Sequence, residues 1–425
     1  MPPRPLDALR RRDFRWFWIA SLVSNTGGWM QNATIPYVVF ELTGRPGEVG
    51  LAGFFQYVPF MLMGVFGGAL ADRFPRRLLL LWAQVLQAVV ALALWWVVAS
   101  GSATTASVAG LAFVAGLLGG LQTPVWQALV AELVPRDLLL GAVTLNSTQF
   151  NASRAIGPFL AGVVIALWGP ADAFLLNAVS FAAVVVVLAA IRVHSDARGR
   201  PERVGLWSGV GEAARYLWAT PALVACCVAI AAVAGLGSPL FSYLPVYGAE
   251  EYSVTGWQLG LLLGAGGIGA VVFAPALLNL QHRVRRAALL GVSMTTYGLA
   301  VAAVGLVRSY PAAVLALLFF GGAYLSIAAT LNSTIQLVVR EDLRGTVIAL
   351  YVMCLTGALP IGLFLWGAAA DTFGLRPTTV TAGLLLVVAT VVFVATGRFT
   401  VMSVADRARD VAAGTAGAAE PPTVG

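Results

Sequence analysis

The sequence predicts an all-α integral membrane protein of twelve transmembrane helices, arranged as two six-helix halves in parallel repeat. Three observations predict it. Of 425 residues, 59% are hydrophobic and 11% charged, with a mean hydropathy of +0.85; no soluble domain buries so much apolar surface. The charged residues punctuate apolar runs that exceed the ~20 residues an α-helix needs to cross the hydrocarbon core. The second half of the chain also repeats the first at a fixed offset.

Taken in order, the chain opens with Arg4, Arg10, Arg11, Arg12 and Arg15 ahead of a long apolar run. That run is too long for a signal-peptide core and lacks a cleavage signal, so it reads as an uncleaved first helix. Spans are expected near 14–40, 48–71, 78–100, 104–130, 139–168, 171–192, 221–247, 255–279, 286–307, 311–337, 346–370 and 375–397. With these bounds 22 of the 26 basic residues fall on one side. Arg45, Arg308 and Arg376 fall on the other, and Arg154 lies inside a span. Positive charge is retained inside, so both termini are expected in the cytoplasm.

The longest polar interval, 194–220, separates a first half at 1–193 from a second at 221–399. Its later stretch, with Trp207, Val210, Gly211, Ala214, Leu217 and Trp218 at helical spacing, is expected to lie along the membrane as an amphipathic helix. The tail at 400–425 is rich in Ala, Gly, Pro and Thr and reads as disordered. The repeat aligns Gly157 with Gly362, Gly162 with Gly367, Gly169 with Gly374, and Asp137-Leu138 with Asp342-Leu343, always 205 residues apart. Parallel repeats of this kind are a transporter signature.

Several function classes drop out. Every basic residue is Arg, which leaves no lysine for a nucleotide-binding P-loop. The arginines are scattered over short loops, so nucleic acid is not an expected partner. Cys226, Cys227 and Cys354 sit in apolar runs and read as small core residues. His194 and His282 lie in loops without metal-ligand spacing, and no acid–histidine or serine–histidine cluster shares a depth, so neither a cofactor, a metal nor an enzyme activity is expected. Gly264-Ala265-Gly266-Gly267-Ile268-Gly269 fits a dinucleotide motif but lies inside a span, where small residues serve helix packing.

Arg154 is the one charge near mid-span, where ionisable groups are costly and functional by default. Ser147, Asn151, Arg154 and Pro158 lie on one helix face. Two roles are open: a polar face for substrate or coupling, or an arginine bonded to helix carbonyls that locks span five.

The loop after span two, Gly68-Ala69-Leu70-Ala71-Asp72-Arg73-Phe74-Pro75-Arg76-Arg77, resembles the conserved loop of the major facilitator superfamily. Pro75 stands where that loop has a second glycine. The resemblance implies that Gly68, Asp72, Arg73, Arg76 and Arg77 clamp neighbouring helix ends in one conformation and release them in the other. The second copy has Asn279 where Asp72 stands, and is expected to clamp weakly. Ser24 to Gln31 with Phe40-Glu41-Leu42-Thr43-Gly44, Glu132 to Leu138, and Leu145 to Pro158 resemble the enterobactin-exporter and macrolide-efflux branch. Gly157-Pro158 with Ala161-Gly162 is similar to the span-five antiporter motif of exporters, with Ser153 and Ala161 at two usual glycine positions.

In the resembled fold spans one, four, seven and ten line the cavity. This makes Asn25, Trp29, Asn32, Gln122, Gln127, Ser238, Ser242, Tyr243, Tyr324, Asn332 and Gln336 candidate substrate contacts, the alternative for each being an interhelical hydrogen bond. A surface of aromatics and amides suits bulky, mostly apolar or neutral molecules. Proton antiport is implied by the resemblance, with Glu41 and Glu132 as candidate proton sites. The expectation is a monomeric exporter of small hydrophobic or amphipathic molecules (a drug, a siderophore or another metabolite) in a bacterial cytoplasmic membrane, with a small molecule, protons and lipid as its partners. An importer or lipid flippase on the same scaffold is the alternative, and a membrane enzyme a lesser one.

Overall fold

The computed structural model describes residues 5–191 and 206–399. Within these helices the side chains of residues 65, 68, 69, 71, 72, 206–210, 278, 279 and 281–283 lie outside the described set, as do the expected tail and the first stretch of the linker. The helices are α1 (Arg12–Thr43), α2 (Pro46–Arg73), α3 (Arg76–Ala99), α4 (Thr105–Glu132), α5 (Leu139–Trp168) and α6 (Pro170–Ala190). They continue with α7 (Leu206–Ala219), α8 (Pro221–Ala232), α9 (Leu240–Val246), α10 (Trp257–Arg283), α11 (Arg286–Leu306), α12 (Tyr310–Val338), α13 (Arg344–Phe373) and α14 (Leu375–Ala395). No strand occurs among the described residues.

Ten helical stretches among the described residues are long and apolar enough to cross a membrane, the segment Pro221–Glu251 counting as one. α1 and α2 are the other two of membrane length, and α1 carries Ser24, Asn25, Thr26, Gln31 and Asn32 within its apolar run. The seventh crossing is not the uninterrupted helix its apolar run suggests. Two π-helical turns, Val233–Gly237 and Tyr247–Glu251, flank α9. Gly235, Gly237, Pro239 and Pro245 crowd that stretch, and such local unwinding is common at functional sites.

The chain's short connections place successive helices antiparallel. α2 packs on α4, α3 on α6, and α1 on both α5 and α6; later in the chain α10 packs on α12 and α11 on α12 and α14. α9 meets α1 and α2, and the two most extensive crossings between these groups are α2 on α13 and α5 on α10. Both depend on glycine. A methyl on Gly162 would meet the backbone of Leu259 and Gly260, and one on Gly50 would meet the Leu363 carbonyl and the Tyr243 hydroxyl. The 205-residue repeat is visible in the backbone. Gly169 and Gly374 each join two helices with φ 96° and 88°, a left-handed conformation that glycine alone adopts without strain. Gly157 packs on α1 as Gly362 packs on the backbone of Gly235 in the seventh crossing.

The short helix α7 is present in the later stretch of the linker. Ala213 and Leu217 are buried, and the Tyr216 hydroxyl donates to the Val338 carbonyl at the end of α12 (3.2 Å). Trp218 faces outward. The Tyr216 hydroxyl satisfies an α12 carbonyl that the helix end leaves unpaired.

Candidate substrate site

Polar contacts tie the two groups together at the end of the bundle that carries few arginines. Arg45 Nη2 lies 2.9 Å from Asp371 Oδ2, and the Gly47 amide donates to Asp371 Oδ1 (2.8 Å). On the same end Arg376, which is mostly buried, donates to Glu251 (2.5 Å) and to the carbonyls of Gly305 and Val307. At the arginine-rich end the described pairs stay within one group. Arg76 Nη1 donates to Glu132 Oε1 (2.7 Å), and Arg77 donates to the Leu188 and Ala189 carbonyls at the end of α6. Arg73 is exposed, whereas the side chain of Asp72 lies outside the described set.

Midway between the ends sits Arg154. Its helix face holds Ser147 and Asn151, both exposed, with Asn151 Nδ2 donating to the Ser147 carbonyl (2.8 Å). One turn further, Gly157 and Pro158 are buried where α1 crosses; a Cβ on Gly157 would lie 2.7 Å from the Thr26 carbonyl oxygen. That close approach sets Trp29 beside Arg154. The guanidinium carbon lies 5.6 Å from the Trp29 ring centre and 4.5 Å from that of Tyr324 on α12. Trp29 meets Phe150 and Phe241 edge-on at 5.8 and 6.3 Å, and Tyr324 lies 6.1 Å from Tyr297. Tyr57 and Tyr297 are within electrostatic reach of the same cation. Arg154 thus lies in an aromatic cluster built by α1, α5, the seventh crossing, α11 and α12. It donates to no helix carbonyl among the described residues, and its described contacts are with aromatic rings.

The other candidates divide by what their polar atoms touch. Asn25 donates to Gln149 (3.3 Å), Asn32 accepts from Gln56 (2.8 Å) and Gln122 accepts from Gln84 (3.0 Å). Gln149 continues to the Ser21 carbonyl and to Ser153, which Thr26 also meets. These amides stitch helices of the first group. Ser238 bonds the Val233 carbonyl and the Tyr297 hydroxyl, holding the unwound turn. Ser242 is buried, and Gln127 is exposed. Asn332 and Gln336 are exposed and bond each other one turn apart (2.8 Å). Tyr243 is fully buried, stacks on Trp366 at 5.8 Å and donates to the Leu363 carbonyl (3.1 Å). In this structure it packs toward the arginine-poor end with no face exposed.

Of the acids, Glu41 is exposed at the arginine-poor end beside a surface hollow lined by Val38, Gly101 and Trp168, and Glu132 is committed to Arg76. Among the described residues no group of three His, Cys, Asp or Glu side chains could hold a metal, and Cys226, Cys227 and Cys354 are free thiols. Reading the residues singly passes over Gln56, Gln84 and Gln149. Gln56 is a lone amide in an apolar run, Gln84 shares one with Gln87, and Gln149 sits among Asn146, Ser147 and Asn151; the available signal is that an amide in lipid needs a partner helix.

Comparison with known proteins agrees with this architecture. The model of a family described as transmembrane secretion effectors, MFS_3, matches residues 4–412. The chain is 25% identical over 372 residues to the multidrug efflux pump Tap of Mycolicibacterium fortuitum, covering 84% of this chain and 89% of the relative. It is 23% identical over 381 residues to the staphyloferrin A transporter of Staphylococcus aureus, covering 89% and 95%. Among solved structures, a bacterial homologue of the lysosomal transporter Spinster superposes with a TM-score of 0.71 at 14% identity, over 92% of this chain and 96% of that one. A D-xylose–proton symporter superposes with a TM-score of 0.71 at 13% identity, over 88% and 96%. The chain belongs to the transmembrane secretion effector family of major facilitator transporters, multi-pass membrane proteins that move small molecules.

Proposed function

We propose that this transporter exports small hydrophobic or amphipathic molecules by alternating access, driven by proton antiport. One observation carries the reading: an aromatic cluster around Arg154 bridges both helix groups at mid-depth, while polar and glycine-mediated contacts seal the arginine-poor end. A central site between helix groups that are fastened together at one end is what a carrier needs in one half of its cycle. Retained positive charge makes the arginine-rich end cytoplasmic and puts both termini there. The site then faces the compartment from which an exporter loads. Rocking of two six-helix halves, 1–193 and 221–399, would open the opposite side. The multidrug efflux relative supports the outward direction, and a monomer in the bacterial cytoplasmic membrane is the unit we propose.

No carboxylate among the described residues lies at the depth of Arg154, so coupling falls to acids near the helix ends. Glu132 is held by Arg76; Glu41 makes no described ion pair and is the freer proton site.

The test is movement of dyes, macrolides and siderophores into everted vesicles, with and without a proton gradient. Gradient-dependent accumulation of one panel member, lost in Arg154→Ala and in Asp72→Asn at unchanged protein level, is expected. Movement indifferent to the gradient would remove antiport. Wild-type flux in Arg154→Ala would remove the central site.

A further inference from the structure

We propose that the Arg154 cluster receives a carboxylate carried by an otherwise apolar substrate. The inference deepens the exporter reading and rests on it. A guanidinium has two flat faces and an edge of five N–H donors. Cations sit over aromatic faces within about 6 Å of the ring centre, and Trp29 and Tyr324 are both within that range. Rings satisfy the charge but accept no N–H bond of ordinary strength. Among the described residues Arg154 has neither a carboxylate partner nor a hydrogen-bond acceptor. Arg154 is half-buried and its nitrogens are not among the sealed side-chain atoms that lack a partner, so solvent reaches the donor edge.

That is an unusual state for an arginine at this depth. A cation away from bulk water is ordinarily paired with an anion. Every other arginine with a described carboxylate partner lies near a helix end, where water also reaches it: Arg10, Arg45, Arg76, Arg340, Arg344 and Arg376. A planar, bidentate anion completes a guanidinium best, which selects a carboxylate. Beside Trp29, the exposed Phe150 and the half-buried Phe241 supply apolar surface for the rest of the molecule. The neutral-substrate expectation came from the amides. Asn25, Asn32 and Gln122 are spent on bonds between helices, however, and the charge is the group left open. The same charge disfavours cationic molecules.

The experiment uses the full-length protein in lipid nanodiscs and a matched pair of probes, naphthoxyacetate and its amide. Binding is read by equilibrium dialysis against empty nanodiscs. The wild type is expected to bind the acid at least about tenfold tighter than the amide, the scale of one charge-assisted contact. In Arg154→Gln the two should bind alike, at the amide's affinity, and Arg154→Lys, which keeps charge but loses the fork, should fall between. Equal binding of acid and amide by the wild type would overturn the proposal. So would a preference that survives in Arg154→Gln, or no acid binding up to about 1 mM, where even a weak anion site registers. If Arg154→Gln fails to fold, the wild-type comparison decides alone. Absence of flux with acid preference intact would remove the export reading and leave this one; flux of neutral molecules without acid preference would do the reverse.

Discussion

The closed end of the bundle rests on backbone contact at Gly162, and a single methyl there is a direct way to open it. In Gly162→Ala the added carbon would land on the amide nitrogen and Cα of Gly260 and lie 2.8 Å from the Leu259 carbonyl carbon. All three are main-chain atoms of α10, so no rotamer change relieves the clash. α5 and α10 must move apart, which costs about 1–3 kcal/mol by the measure of overpacked cores. The cost applies only while the two helices touch. It therefore lowers the ratio of closed to open arginine-poor ends by about 5- to 150-fold. Spin labels on Ser102 and Arg308, both exposed in turns at that end, report the change as a distance distribution, with the three cysteines replaced by alanine. Gly162→Ala is expected to shift weight to longer distances. Gly110→Ala, which meets nothing within 4 Å, is the control and should match the parent. Identical distributions for parent and Gly162→Ala, or equal shifts in both variants, would refute the claim that this crossing holds the end shut.

Three further outcomes are expected. Arg376→Ala removes a largely buried pair with Glu251 and two bonds to carbonyls at the end of α11, so it should destabilise by about 2 kcal/mol and lower the thermal midpoint of the purified protein. Arg76→Gln should impair transport at least as much as Glu132→Gln, since Arg76 has a contact besides Glu132, and adding Glu132→Gln to Arg76→Gln should cost little more; Glu41→Gln should instead abolish the response to a proton gradient, and loss of that response in Glu132→Gln alone would transfer the coupling role to it. Trp366 has a buried indole N–H without an acceptor, so Trp366→Phe trades a relieved desolvation cost of ~1–3 kcal/mol against lost packing on Tyr243 and should leave stability nearly unchanged. A large drop in thermal stability would mean the indole has a partner in the membrane.

The helices were legible because lipid permits few alternatives. A spanning segment must satisfy its backbone internally, so an apolar run between arginine-bearing loops can only be a helix. The repeat was legible for the same reason. Gly162 and Gly367 recur at matching positions because each faces another backbone, and a side chain at either would force the touching helices apart. The site was legible only in its charge. Arg154 stands out in any reading of the apolar runs, but the cluster around it is set by distant neighbours, Tyr324 lying 170 positions away. The amides show the limit most clearly. Nothing local distinguishes Asn25, bonded to Gln149 across α1 and α5, from Asn332, bonded to Gln336 one turn away on its own helix. Both are polar residues in apolar surroundings, and only packing decides which partner each finds. The interruption of the seventh crossing left a trace in Gly235, Gly237, Pro239 and Pro245, yet such residues also occur in intact membrane helices, where neighbours satisfy the freed groups.

The two copies of the repeat differ where a carrier needs them to differ. Asp371 fastens the arginine-poor end from the second copy, and the position 205 residues earlier is Ala166, which can fasten nothing. Conversely the charged loop at the arginine-rich end is intact in the first copy, whereas the second has Asn279 in place of its acid. The acid that fastens the arginine-poor end thus belongs to the second copy, and its partners Arg45 and Gly47 to the first. If both copies fastened both ends, closing one end would not favour opening the other, and a substrate would have to overcome two sets of contacts at once. With one exposed pair at the arginine-poor end, worth about 0–1 kcal/mol, most of the closing energy there comes from helix contact. Helix contact is all-or-none on the scale of a methyl group, as at Gly162, while ion pairs weaken gradually with distance. A ligand that favours one state by a few kcal/mol is then enough to tip the balance. An acid bound at Arg154 would act at that point, because the cluster spans α1 and α5 on one side and α12 on the other. Its carboxylate neutralises the cation from which both groups take their contacts, so binding changes the interaction between the halves and not only within one.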